Sequence, residues 1–152
     1  MSLYSRVLVA VDLTDDCKLV ADRANEIAQM SKADLHLIHV IEPITLSYGG
    51  DIPMDVSAVQ ESITDQTEAY IATFAAAYGI PFDHQHLVYG RPEREIHRFA
   101  MENDVDCIVV GSHGRHGLAL LFGSTANGVL HGAPCDIIAV RVGVQSDAKH
   151  AA

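Results

Sequence analysis

The stretch from residue 106 to residue 131 constrains the fold more than any other part of the chain. It begins with an apolar, β-branched run over 106–110, which is typical of a buried parallel strand. Glycines then recur up to Gly123, and an apolar spacing typical of a helix follows over 124–131. A strand that leads through a glycine-rich loop into a helix offers N–H groups and a positive dipole end to an anion. The stretch therefore predicts a phosphate site, the alternative being a loop that merely turns the chain.

Two familiar phosphate motifs are excluded by the residues present. A P-loop requires Gly-Lys followed by Ser or Thr, and that run occurs nowhere in the chain. The dinucleotide fingerprint follows the first strand of its fold, whereas these glycines follow a late strand and have a different spacing. The donors expected at the helix start are Gly123, Ser124 and Thr125.

Strand and helix patterns alternate along the whole chain. Strand patterns are found at 5–12, 34–41, 84–89, 106–110 and 135–142, with helical patterns in the intervals between them. This alternation predicts one doubly wound α/β domain over 1–142, with a five-stranded parallel sheet covered by helices on both faces. Polar residues 143–152 are expected to form a frayed tail.

Local signals mark the ends of these elements. Thr14 is predicted to cap the first helix, with Asp15 and Asp16 in its first turn. Gly79 is expected to close the second helix, and Pro92 to begin the third. Residues 42–54 carry two prolines and two glycines and form either a binding loop or a surface insertion.

Composition narrows the class of protein. The chain has 152 residues, a net charge of −10 and ten scattered Lys and Arg residues, which argues against a nucleic-acid surface. No apolar run is long enough for a membrane span, and the first twelve residues do not resemble a signal peptide, so a cytoplasmic location is predicted. Cys17, Cys107 and Cys135 suggest no disulfide framework. Cys17 lies near a helix start that could lower its pKa, but no redox function is expected.

Several runs resemble one known family. They are Val110-Gly111-Ser112-His113-Gly114, Gly123-Ser124-Thr125-Ala126 and the run from Ala133 to Arg141. These are similar to the C-terminal half of the universal stress protein family, and 7–12 and 37–40 fit its first two strands. The resemblance covers about 4–142 and implies the sheet order 3-2-1-4-5.

The spacing of the glycines departs from the family's nucleotide-binding pattern. Nucleotide-binding members have nine residues between the second glycine and the Gly-Ser/Thr pair, and this chain has eight, at 115–122. In this family, members of the universal stress protein A type have an altered glycine motif and do not hold ATP.

The resemblance implies a site for ATP or AMP, with Mg²⁺ carried by the phosphates. It assigns Ala10, Asp12 and Val40 to the adenine and ribose end of the nucleotide. It assigns Val110, Gly111, His113 and Gly114 to the ribose and first phosphate, and Gly123, Ser124 and Thr125 to the outer phosphates.

The implied strand order brings two local signals together. The winding reverses between strands 1 and 4, and ligands of such sheets bind beyond the strand carboxyl ends at that point. Asp12 ends the first predicted strand and Gly111 follows the fourth, so both are expected to face one crevice. Asp12 has an alternative role as a helix cap. His113 and His116 are not expected to bind a metal, because the residues between them do not form a helix and further ligands cannot be placed.

Two functions remain open from the sequence. One is a nucleotide-binding stress-response regulator without fast catalysis, a weak ATPase being a minor variant since no general base is visible. The other is a dimeric interaction protein with an empty crevice. In both, strand 5 is an exposed edge without lysine or an internal proline, which predicts a homodimer through that strand. A further protein partner cannot be identified.

Overall fold

The computed structural model describes residues 2–43, 56–113 and 124–142. Its strands are β1 (Arg6–Ala10), β2 (Asp34–Ile41), β3 (Gln85–Tyr89), β4 (Cys107–His113) and β5 (Asp136–Val142). Its helices are α1 (Cys17–Ser31), α2 (Val56–Ala77), α3 (Pro92–Glu102) and α4 (Ser124–Leu130), with a short 3₁₀ turn at Phe82–His84 before β3. Within these described ranges, no helix is long and apolar enough to cross a membrane.

All neighbouring strands are parallel, in the order β3-β2-β1-β4-β5. This confirms the predicted fold class and strand order. The chain winds outward from β1 to β3, returns to β4 on the other side of β1, and ends at β5. The winding therefore reverses between β1 and β4, where their carboxyl ends form a natural crevice.

The central strand β1 is buried on both faces. Val7 and Val9 pack with α1 and α2, while Leu8 packs with α3 and α4, and all three side chains are fully inaccessible. This explains why the strand is a continuous apolar run rather than an alternating one. The sheet thus forms a rigid floor from which the crevice residues project.

The start of α1 differs from the sequence-based prediction. Thr14 does not cap the helix, which begins at Cys17 with Asp16 at the N-cap and no side-chain cap bond there. Leu13 has a left-handed backbone with φ of 64°, so the chain is still turning at this point. Asp12 accepts hydrogen bonds from Thr14 and competes with an earlier helix start. Asp15 and Asp16 consequently precede the first turn.

The end of β4 also differs from the prediction. Residues Gly111, Ser112 and His113 continue the strand, paired with Val140, Arg141 and Val142 of β5. Pairing with a neighbouring strand has overridden the turn signal of the glycine. A Cβ on Gly111 would lie 3.0 Å from Val20 Cγ2, so glycine here permits the close approach of α1 rather than a special backbone angle.

Other local signals hold. Pro92 occupies the first turn of α3, and Gly79, with φ of 65°, follows the end of α2. Strand β1 is shorter than the predicted 5–12, and β3 begins one residue later than predicted. Most of the predicted loop at 42–54, and the tail at 143–152, lie outside the described residues.

Candidate functional site

A cavity of about 400 Å³ lies beyond the carboxyl ends of β1, β2 and β4. Its floor consists of strand ends, and its walls come from the first turns of α1, from Ile63 and Thr67 of α2, and from Pro92 and Ile96 of α3. The volume is in the range of small-molecule sites. The cavity therefore occupies the place where a doubly wound sheet binds a ligand.

Half of the predicted site residues line this cavity. They are Ala10, Asp12, Val40, Val110 and Gly111. The expected convergence of Asp12 and Gly111 on one crevice is thus present, although β1 ends before Asp12 and β4 continues beyond Gly111.

The other predicted residues belong to the glycine loop and its flanks. His113 is the last residue of β4, and Ser124 and Thr125 are the first two residues of α4. Gly114 and Gly123 lie outside the described residues. His113 and Ser124 are therefore the described residues on either side of 114–123.

Asp12 is exposed and anchors the loop that follows β1. Its Oδ1 accepts a hydrogen bond from the Thr14 amide at 3.0 Å and another from the Thr14 hydroxyl at 2.7 Å. The residue lies four positions before the α1 N-cap, so the alternative role of Asp12 as a helix cap is wrong. Asp12 instead stabilises a local turn through its bonds to Thr14, and it also lines the cavity.

His39 also lines the cavity, and sequence reasoning did not place it there. Its Nδ1 lies 2.7 Å from the main-chain oxygen of Val11. Burial lowers the pKa of His39, against the opposing effects of the Val11 carbonyl and the nearby Asp12 carboxylate. The alternation of side chains along β2 could have predicted which face of the sheet His39 occupies, but not its hydrogen bond to Val11.

The charge of the cavity lining is acidic. Asp12, Asp16 and Glu42 contribute carboxyl groups, and no lysine or arginine is found among the described residues that line it. This wall suits the hydroxyl and amino groups of a ligand rather than its phosphates.

The thiols of this fold are held in their protonated form. Cys17 lines the cavity, and its Sγ lies 3.9 Å from the Tyr70 hydroxyl. Burial raises the pKa of Cys17, contrary to the lowering that a helix start could cause. Burial likewise raises the pKa of Cys107 to about 12 and raises that of Cys135.

Three histidines cluster at the opposite end of the sheet. The rings of His36 and His84 stack with centroids 3.9 Å apart, and His36 Nδ1 lies 3.0 Å from His86 Nε2. Within 2–43, 56–113 and 124–142, no group of three or more His, Cys, Asp or Glu side chains is arranged to hold a metal ion. The cluster is separate from the cavity.

Fold and cavity together define a doubly wound α/β domain with a ligand-sized crevice at its switch point, which is where the winding reverses between β1 and β4. The sequence model of the universal stress protein family matches residues 3–141. The chain belongs to this family.

One relative and two solved structures illustrate the match. Universal stress protein A homolog 2 of Coxiella burnetii is 39% identical over 145 residues, which cover 93% of this chain and 98% of that protein. The universal stress protein UspA from Lactobacillus plantarum shares the fold with a TM-score of 0.77 at 24% identity, covering 93% of this chain and 100% of that one. A universal stress protein solved in complex with cAMP has a TM-score of 0.60 at 26% identity, covering 91% and 98%.

Proposed function

We propose that this chain is a cytoplasmic, homodimeric regulator that binds ATP or AMP in the crevice and does not catalyse fast turnover. The observation that carries the proposal is the 400 Å³ cavity at the switch point, with Asp12, Val40 and Gly111 on its walls. Support also comes from the family member solved with cAMP, which is an adenine nucleotide too.

The proposed ligand fits the cavity in two parts. Ala10, Asp12 and Val40 would hold the adenine and ribose, where carboxylate and main-chain groups match amino and hydroxyl groups. Val110, Gly111, His113 and Gly114 would lie along the ribose and first phosphate, followed by Gly123, Ser124 and Thr125 at the outer phosphates. Because the described lining is acidic, the phosphates need the main-chain N–H groups of the glycine loop and a divalent ion bound to them.

The same arrangement argues against an efficient enzyme. Asp12 would lie at the nucleoside end, too far from the outer phosphates to serve as a general base. Without a lysine near the phosphates, stabilisation of a transition state would depend on main-chain donors. We therefore expect the regulator to act through its nucleotide-bound state.

A second candidate function is favoured by one observation. The spacer between Gly114 and Gly123 has eight residues, where the family's nucleotide-binding members have nine. A shorter loop would bring fewer main-chain groups around the phosphates. The protein would then be a dimeric interaction protein with an empty crevice.

Nucleotide binding is tested by titration calorimetry of the purified full chain with ATP plus Mg²⁺ and with AMP. We expect Asp12→Ala to weaken binding about tenfold, the cost of roughly one hydrogen bond to a charged group. Asp12→Asn keeps an oxygen for the Thr14 amide but removes the charge, so it separates ligand contact from the local turn. Asp15→Ala, on the same loop but off the cavity lining, is the matched control and should bind normally.

Two further measurements test the proposal, the first against the second candidate and the second against fast catalysis. Acid-denatured wild-type protein should release a nucleotide that absorbs at 260 nm, and Gly123→Val should abolish its uptake while leaving the fold intact. Silent titrations together with no released nucleotide would favour the interaction protein. Phosphate release at several turnovers per second, lost in Gly123→Val, would contradict the absence of fast catalysis.

A further inference from the structure

The β1–β2 ladder ends in an unusual way at the cavity. The Val11 amide donates to the Ile38 carbonyl at 3.0 Å, one residue beyond the end of β1. In a regular parallel ladder the next bond would join the Val11 carbonyl to the Val40 amide. Here the imidazole of His39 binds that carbonyl instead, with Nδ1 2.7 Å from it.

The direction of the Val40 main chain follows from the same ladder. Alternate residues of a parallel strand direct their N–H and C=O groups to the same neighbouring strand. The Ile38 carbonyl points towards β1, where it accepts from the Val11 amide. The N–H and C=O groups of Val40 therefore point to the same side, beyond the last residue of β1. At that position lies the cavity, which both Val40 and His39 line.

The protonation of His39 is fixed by its partner. A carbonyl oxygen only accepts hydrogen bonds, so Nδ1 carries the hydrogen. Burial lowers the pKa of His39 below its ordinary value, and the ring is therefore neutral at pH 7 with a single N–H on Nδ1. Nδ1 of the neutral His39 ring is thus the donor to the Val11 carbonyl at pH 7.

We propose that His39 is a positioning residue of the crevice, a role that rests on the proposed nucleotide binding. Its ring donates to the Val11 carbonyl, as the Val40 amide would in a regular ladder, and so holds the loop after β1 in place. Asp12, next in the chain and tied to Thr14, is thereby fixed opposite the Val40 main chain. The two sides of the nucleoside subsite are then set before any ligand arrives, which reduces the entropic cost of binding.

Three variants of the full chain test this role by calorimetry with AMP. His39→Leu removes the donor, and we expect its affinity to fall about tenfold. His39→Asn places an amide nitrogen near the position of Nδ1, and we expect it to bind within about threefold of wild type. His84→Leu is the matched control, because His84 Nδ1 makes the same type of bond to the Leu35 carbonyl, at 3.1 Å and at the other end of the sheet. It should bind AMP normally.

Amide hydrogen exchange tests the same role without any ligand. In His39→Leu we expect the Val11 and Thr14 amides to lose protection at least tenfold, since both belong to the loop that His39 holds. His39→Asn and His84→Leu should keep it. Unchanged protection in His39→Leu would overturn the proposal whether or not AMP binds. Lost protection together with no AMP binding in wild type would support the role of His39 in the loop and contradict the proposed function alone.

Discussion

At Gly111 the absence of a side chain lets α1 pack directly on β4. An added Cβ would lie 3.0 Å from Val20 Cγ2, closer than side chains ordinarily approach. Val20 is itself buried and lines the cavity. One methyl group at this position would therefore disturb both the packing of α1 and the shape of the candidate site.

This packing predicts a coupled pair of substitutions. Gly111→Ala should lower the free energy of unfolding by about 1–2 kcal/mol through overpacking. Val20→Ala removes the opposing methyl groups, so the double variant should be more stable than the sum of the two effects by at least about 0.5 kcal/mol. Urea unfolding measures this cycle. Gly111→Ala combined with Val105→Ala, on the other face of the sheet, should be additive, and equal coupling in both cycles would contradict the packing argument.

Single residues of the candidate site were only partly predictable from the sequence. Asp12 and Gly111 were recognised because strand ends and glycines are visible in the pattern. His39 was not, since its hydrogen bond to the Val11 carbonyl depends on how two strands end side by side. The cap predicted at Thr14 was wrong for a different, local reason, because the Thr14 hydroxyl and amide both donate hydrogen bonds to Asp12 Oδ1.

At the scale of elements, β2, β3 and α3 meet around the three histidines. His86 packs on Phe99 of α3 with centroids 4.3 Å apart, and bonds His36 through their ring nitrogens. Burial, with His84, His86 and Arg6 nearby, lowers the pKa of His36 to about 4, and Asp34 opposes this only in part. Burial and His84 lower the pKa of His86, against Asp83. The lowered pKa values of His36 and His86 therefore favour the neutral form of these two rings.

Stability should consequently fall in mild acid. Histidine has a pKa near 6.5 when unfolded, so the contribution of His36 is complete above about pH 6.5 and is lost as the pH falls towards 4. After allowance for solvent screening, we expect a loss on the order of 1–2 kcal/mol over this range. Denaturant unfolding at several pH values measures it. His36→Leu should reduce the dependence of the unfolding free energy on pH, whereas the control His131→Gln, at an exposed position, should not. The same pH dependence in both variants would contradict the role assigned to His36.

The bounds of elements were predictable where local signals agree with the packing. Gly79 and Pro92 mark their helix ends because a left-handed residue or a missing N–H decides the matter locally. The extension of β4 through His113 was not predictable, since it depends on seven paired residues of β5. Tertiary pairing there outweighs the glycine signal.

At the scale of the whole molecule, the strand order leaves β3 and β5 as the two edges of the sheet. The order itself came from resemblance to a family; the pattern of elements alone predicted only a parallel sheet with few possible orders. Edge strands present a row of main-chain N–H and C=O groups that other strands can join. Strand β5 carries no lysine or proline to discourage such pairing.

We therefore expect a homodimer in which two β5 strands pair antiparallel across a two-fold axis, so that each edge covers its own copy. Light scattering at micromolar concentration should report twice the chain mass. Ala139 is exposed in mid-strand, and Ala139→Pro should shift the protein towards monomer or precipitate, because proline cannot donate to a ladder.

A milder pair of variants identifies the edge that pairs. Ala139→Lys introduces on β5 the residue that natural edges use against pairing, and it should give a soluble monomer. Tyr89→Lys places the same charge on β3, where Tyr89 is 44% exposed, and should remain dimeric. Monomers from Tyr89→Lys alone would move the interface to β3. A wild-type monomer with rapidly exchanging β5 amides would rule out pairing altogether, since an uncovered edge leaves its N–H groups open to water.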